Sequence, residues 1–309
     1  MEPSVIQFFV VLILSLFVTL LMLFATIHLP NVSHYRRTAD ISKSNTFELS
    51  CYGPHSLLVC SNNARNYDEL YFKAAQFATD DDFFTEPLLR RVHDTCAVVG
   101  SSGNLLNYEF GAEIDSRDVV FRINLPPIKG YEKYVGSREG DVLVLNSFLS
   151  HWPCHDVKRF FVTSHRNPTA YAEFVRNCWT RYRRKTYGMA PRVFELSNRL
   201  FYAYGRKYGT ARSRFWVEFK WMFPTSGFDT VVFALHLCRE VHMYGFGLRE
   251  AKRFEYFNNA TVKEVRVSHD FSAEALFFTD YADGRHDDSL VDLSWEGYGK
   301  LIIHGPSLL

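Results

Sequence analysis

The chain has 309 residues, 47% of them hydrophobic and 22% charged, enough for one sizeable globular domain with an appendage. Its formal net charge of +1 provides no general attraction to nucleic acid or acidic lipid, so no nucleic-acid partner is expected. The 28 Phe and 17 Tyr read as core, and neither repeats nor low-complexity tracts interrupt the sequence.

Residues 1–4 form a short tail ahead of Val5–Ile27, an uncharged apolar run. As a helix this run spans roughly 34 Å, at about 1.5 Å per residue, enough to cross a bilayer. It exceeds the roughly 7–15 apolar residues of a cleaved signal peptide. Glu2 stands on the near flank and Arg36 and Arg37 on the far one, a slight bias that by itself would put the C-terminal side in the cytoplasm. Residues 28–50 are polar and aperiodic, a stem leading to a single domain over 51–309. Asn31 and Asn259 begin glycosylation sequons, which matter only in a secretory lumen. The six cysteines (51, 60, 96, 154, 178 and 238) lack Cys-x-x-Cys spacing, and disulfides are compatible with their even number.

Short helices are expected over 69–77 and 88–92. Cys96–Asn146 follows and reads as alternating strands and turns: Ala97-Val98-Val99 as a buried strand, Gly100 through Asn104 as a small-residue turn, and a helix starting at Leu105-Leu106. Unpaired amides at such a helix start cradle phosphate. Strands at Val119–Ile123 and Val142–Leu145 end on Asn124 and Asn146, polar residues at strand ends where open α/β sheets bind ligands. The turn lacks G-x-G-x-x-G and the second strand closes on Asn124 rather than an acidic residue, which disfavours a dinucleotide-dependent oxidoreductase.

Arg159–Thr163 reads as a further strand. Just before it, His151 and His155 flank Pro153, which spoils a helical i,i+4 metal pair, so no metal is expected. A helix is expected around Ala172–Cys178, then a basic solvated face at Arg181–Lys185. Thr225 and Ser226 are N-cap candidates for a helix whose apolar face is Phe228, Val231, Val232, Leu235 and Cys238. A strand from Val241 ends at Gly245. Last, His269 precedes Glu274 by a turn and a quarter at the start of a helix; imidazole suits general-base work, although such pairs are more often structural.

Taken in this order, the segments resemble the eukaryotic-type sialyltransferases, glycosyltransferase family 29. Cys96–Gly100 through Val135-Gly136, with Arg122-x-Asn124-x-Pro126 and Gly130-Tyr131-Glu132 inside it, looks like that family's long motif. Pro224-Thr225-Ser226-Gly227 with Cys238 and Tyr244-Gly245-Phe246 looks like its short motif, and His269-x4-Glu274 like its very short one. The resemblance implies an α/β fold, a Rossmann-like sheet sandwiched by helices (the GT-A-variant sialyltransferase fold), on an N-terminal transmembrane helix, with 51–309 as the catalytic domain. It implies inverting, metal-independent transfer of sialic acid from CMP, without a cofactor, to a galactose-type hydroxyl of a glycoprotein or glycolipid glycan. His269 would be the general base and Glu274 and Tyr256 supporting residues. Ser101, Ser102, Gly103, Asn124, Ser226, Gly227 and Gly245 would hold the CMP-sugar, and Cys96 and Cys238 would form a disulfide. It also implies a type II Golgi membrane protein whose domain is luminal, against the charge bias of the flanks. In the family's third motif Glu255 stands where a phosphate-holding histidine is expected. A carboxylate there repels phosphate unless it is protonated or turned away, which leaves room for another CMP-linked acid such as Kdo or for a non-catalytic binder.

Overall fold

The computed structural model describes residues 58–59, 92–145, 160–163, 186–189, 191–209, 223–261, 269–286 and 299–308. The expected membrane span over Val5–Ile27, the stem, Asn31 and the helices expected at 69–77, 88–91 and 172–178 lie outside these residues. So do Asn146, the His151/His155 pair, the basic run 181–185 and cysteines 51, 60, 154 and 178. Among the described residues no helix is long and apolar enough to cross a membrane.

Among the described residues eight strands form one sheet: β1 (Leu58–Val59), β2 (His93–Val99), β3 (Val119–Ile123), β4 (Val142–Leu145), β5 (Phe160–Thr163), β6 (Thr186–Met189), β7 (Cys238–Tyr244) and β8 (Lys300–Ile303). Their order is β1-β6-β5-β4-β3-β2-β7-β8. Every neighbouring pair is parallel except β1 with β6. From β2 the chain runs outward through β3 to β6, then returns to lay β7 and β8 on β2's other side. The order therefore reverses between β2 and β7, and ligands of open α/β sheets bind beyond the carboxyl ends of strands at such a point.

Alternation along β2 explains the layers. Cys96 and Val98 face a core shared with α3 (Pro191–Tyr208), α4 (Ser226–Leu235) and α5 (Phe271–Ala282). Ala97 and Val99 face a smaller core with Leu105, Ile114, Val135 and Tyr256. That second layer carries a 3-10 helix (Gly103–Asn107), α1 (Gly111–Asp115) and α2 (Glu132–Val135). The fold is α/β, with helical layers on both faces of a mostly parallel sheet.

Two expectations need correction. The helix expected from Leu105 is the one-turn 3-10 helix, started by Ser102, whose Oγ accepts from Asn104 N. The helix after Thr225 ends at Leu235, and Cys238 opens β7 instead of completing an apolar helical face. Gly227 through Leu235 are all buried, so α4 is a central helix without a solvent face. The disulfide between Cys96 and Cys238 is formed, with Cα atoms 6.0 Å apart, and it ties β2 to the first residue of β7.

Candidate active site

A cavity of about 540 Å³ opens at the carboxyl ends of β2, β3 and β7, the point where strand order reverses. Ligand pockets run from about 300 to 1,000 Å³. Its wall includes Ser101 and Ser102 after β2, Asn124 after β3, Ser226 and Gly227 at the start of α4, Gly245 after β7, and His269 and Glu274 around the start of α5. Eight of the expected site residues thus meet at one surface. Gly103 and Tyr256 are not on the wall.

The first turn differs from the cradle expected of it. Ser102 N donates to the Gly245 carbonyl, Gly103 N to Phe254, and Leu105 N to Ser102. Asn104 N is taken by Ser102 Oγ. The amides from Ser102 to Leu105 are spent within the fold, which leaves the side chains of Ser101 and Ser102 as this turn's polar contribution to the wall. Gly103 is a packing residue: a Cβ there would lie 2.2 Å from the Arg253 carbonyl oxygen. Gly245 has φ +72°, and a Cβ there would meet Leu105 Cδ1 at 2.5 Å, so glycine is required on both counts.

Tyr256 is fully buried, and its hydroxyl donates to the Pro127 carbonyl at 2.8 Å while its ring meets Tyr131 edge-on. It therefore acts through the Asn124–Pro127 turn instead of touching a ligand. In that turn Asn124 and Leu125 both adopt left-handed backbone, with φ of 59° and 50°. Such conformations are costly for a side-chain-bearing residue and concentrate at functional sites. Arg122, just before it, is buried: Nε donates to the Arg138 carbonyl at 2.8 Å and Nη2 to that of Val135 at 2.7 Å. Burial pulls its guanidinium down to about 10. The arginine of the long motif pins the loop after α2. Asp115 holds the same loop through Ser137 N, Ser137 Oγ and Arg138 N. Burial pushes its carboxyl up, and these hydrogen bonds outweigh burial and leave it below the usual carboxylate range.

The second turn keeps its donors. Thr225 caps α4, its Oγ1 accepting from Phe228 N at 3.0 Å. Ser226 and Gly227 are the first two residues of the ten-residue helix, where amides have no intrahelical acceptor and the dipole favours negative charge. Glu274 holds this cap from α5: Oε1 accepts from Thr225 N at 2.6 Å and Oε2 from Thr225 Oγ1 at 2.9 Å. Burial raises its carboxyl to about 8 despite those bonds. Its partner is thus Thr225, 49 residues away, a link that no local pattern announces.

His269 sits one residue before Asp270, the N-cap of α5, and is half-buried on the wall. Its Nδ1 lies 3.0 Å from the Phe223 carbonyl oxygen. A carbonyl only accepts, so Nδ1 carries the proton and Nε2 offers its lone pair. That is the tautomer and orientation a base needs.

Sequence reasoning missed the aromatic wall of Phe246, Phe254, Phe257, Phe271 and Phe278, together with Leu308 near the C-terminus. Asn259 is exposed. Among the described residues the cluster with metal-type side chains is Glu113, His242 and His304, none of them on this wall. There Glu113 already accepts from Arg117 and from Tyr244.

The chain is similar to known proteins. A chicken (Gallus gallus) CMP-N-acetylneuraminate-beta-galactosamide-alpha-2,3-sialyltransferase 1 is 30% identical over 184 residues, 55% of this chain and 50% of that protein. A rat (Rattus norvegicus) alpha-2,8-sialyltransferase 8E is 31% identical over 228 residues, 67% and 59% respectively. The chain spans about half to three-fifths of the length of these relatives. A crystal structure of a mammalian sialyltransferase aligns over 81% of this chain and 89% of that one at 20% identity and a TM-score of 0.49. The model of glycosyltransferase family 29 (sialyltransferase) matches residues 37–284, a stretch that takes in both turns, the disulfide and His269. On that match the chain belongs to glycosyltransferase family 29.

Proposed function

We propose that this chain is a sialyltransferase that moves sialic acid from CMP to a glycan hydroxyl with inversion, without metal or cofactor. The observation that carries the proposal is His269, on the wall of the strand-end cavity with Nδ1 held by Phe223 and Nε2 presented. His269 Nε2 takes the proton of the acceptor hydroxyl as its oxygen attacks the anomeric carbon. The bond from that carbon to the phosphate oxygen breaks, and CMP leaves with the electron pair. Ser226 and Gly227, at the positive end of α4, are donors fixed where that charge develops. Asn124 and Ser101 face the same space from the other strands. The names of the relatives support this donor class, and they differ in linkage, α-2,3 against α-2,8.

We also place the domain in the Golgi lumen, held by Val5–Ile27 as a type II anchor. Supporting this are the disulfide, which belongs to an oxidising compartment, and the exposed Asn259 sequon. Enzymatic removal of N-glycans from the cell-expressed protein should shift its mobility; an unmodified protein would count against a luminal domain.

The deciding measurement is transfer from CMP-sialic acid to a panel of glycans, with products read by mass spectrometry. Wild type should produce a sialylated glycan. His269→Ala should lose roughly 10²–10⁴-fold in kcat while CMP affinity stays within about threefold. A variant that kept wild-type turnover would remove His269 from the base role.

A further inference from the structure

The cavity wall holds a second carboxyl group that the mechanism above leaves idle. Glu255 lies on the segment beside the first turn and is fixed there by backbone. It bridges Ser102, with Gly103 N donating to the Phe254 carbonyl at 3.2 Å and Tyr256 N to the Ser101 carbonyl at 3.0 Å. Its Oε2 accepts from Asn258 Nδ2 at 2.5 Å. Among the described residues the charged and titratable groups around it are few. Ser101, Ser102 and the Asn124–Pro127 turn bring none. Arg122 lies beyond Tyr256 and is committed to the Arg138 and Val135 carbonyls. Arg253, on its own segment, is exposed. His269, held by Phe223, and Glu274, held by Thr225, also line the cavity. Burial raises the Glu255 carboxyl, the Asn258 bond opposes this only in part, and no cation among the described residues pulls it back.

A CMP-linked sugar acid carries negative charge on its phosphate and on its own carboxylate. An ionised Glu255 close to either would repel it, at a cost that partial desolvation increases. A neutral carboxyl removes that cost and fits the contacts present. It has one carbonyl oxygen, which Asn258 Nδ2 occupies, and one O–H donor for the cavity.

Resting on the donor class proposed above, we propose that Glu255 binds the donor as a neutral carboxylic acid and protonates the phosphate that leaves. Glu255 takes a proton from solvent as the donor enters and donates a hydrogen bond to a phosphate oxygen. The anomeric C–O bond to phosphate breaks, its electron pair goes to the phosphate oxygen, and the Glu255 proton follows to CMP. The acceptor's C–O bond forms as its hydroxyl proton passes to His269. Release of CMP and product leaves Glu255 ionised and His269 protonated, and exchange with solvent resets both.

The test is calorimetric titration of CMP into the full chain, in buffers of different ionisation enthalpy from pH 5.5 to 8.5, for wild type and Glu255→Gln. Glutamine is neutral at every pH and still donates, so this variant should bind CMP at least as tightly as wild type at pH 8. Wild type should take up as much as one more proton per CMP than the variant, and its affinity should fall more steeply as pH rises. Glutamine has no proton to give, so turnover of Glu255→Gln should fall roughly 10²-fold without a matching rise in KM for the donor. Equal proton uptake and equal pH slopes in the two proteins would overturn the role of Glu255, as would a folded variant that fails to bind CMP. CMP binding to neither protein would instead remove the donor class itself.

Discussion

After β2 the chain turns through Gly100-Ser101-Ser102-Gly103, and before α4 it turns through Pro224-Thr225-Ser226-Gly227. Both are short runs of hydroxyl residues and glycine at a helix start, and both reach the cavity. In the first, the amides from Ser102 to Leu105 are consumed, two by neighbouring segments and two by Ser102 itself. In the second, a buried carboxyl group from α5 secures the cap, and the next two amides remain at the helix start. The same residue types serve assembly in one turn and ligand contact in the other. What separates them is the segment packed alongside, Phe254–Tyr256 for the first and Glu274 for the second.

The largest effect that sharpens this contrast comes from Glu274. Its carboxyl titrates near 8 in the fold, against 4.5 ordinarily, with burial as the main cause. The folded state therefore holds that proton more tightly. The stabilisation is complete below about pH 4.5 and is lost as pH rises toward 8, by at most about 1.4 kcal/mol per pH unit. His242 and His304, lowered chiefly by burial, act in the opposite sense below about 6.5. The slope between pH 6.5 and 8 is thus where Glu274 stands out. Melting temperature should fall across that window in wild type, and Glu274→Gln should remove most of the fall; an unchanged slope would show that the carboxyl titrates elsewhere.

Next in size is Gly103→Ala, whose Cβ would collide with the Arg253 carbonyl oxygen. It should cost about 1–3 kcal/mol of stability, read by denaturant unfolding, while the folded protein keeps its CMP affinity. A loss of affinity without a loss of stability would restore the first turn to the role of phosphate cradle. The smallest change is Ser102→Ala, which removes the cap of a single 3-10 turn and should cost about 1 kcal/mol. Thr225→Ala is its counterpart: it should weaken CMP binding several-fold as well as stability, because Glu274 then loses the hydroxyl it holds. Equal behaviour of the two cap variants would erase the distinction between the turns.

Much of this was legible in the chain. β3 and β4 begin and end where apolar runs do, and Thr225 and the strand before Gly245 were recognisable from local chemistry. α3 was missed although Pro191 stands at its first turn, a position proline favours, and Val193, Phe194, Leu200, Phe201 and Tyr204 recur at helical spacing. β8 has four residues, too few for a period to declare itself. The site residues that resisted prediction are those defined across the fold. Gly103 looks like a ligand-binding glycine until Arg253 is packed on it, and Tyr256 looks like a wall residue until its hydroxyl reaches Pro127. Residue type identified the participants, and non-local packing assigned their tasks.

The cystine between Cys96 and Cys238 closes a covalent ring around everything from β3 to α4. One peptide-bond cut anywhere inside that ring cannot separate the pieces, because their ends stay joined across the adjacent strands β2 and β7. A nicked molecule would migrate as a single species until reduced, and then as two. Its strand-end cavity would keep the walls that β2 and β7 supply, since both lie on the stapled side of the break. In a compartment that holds both proteases and oxidants, damage to the chain and loss of the site thereby become separate events.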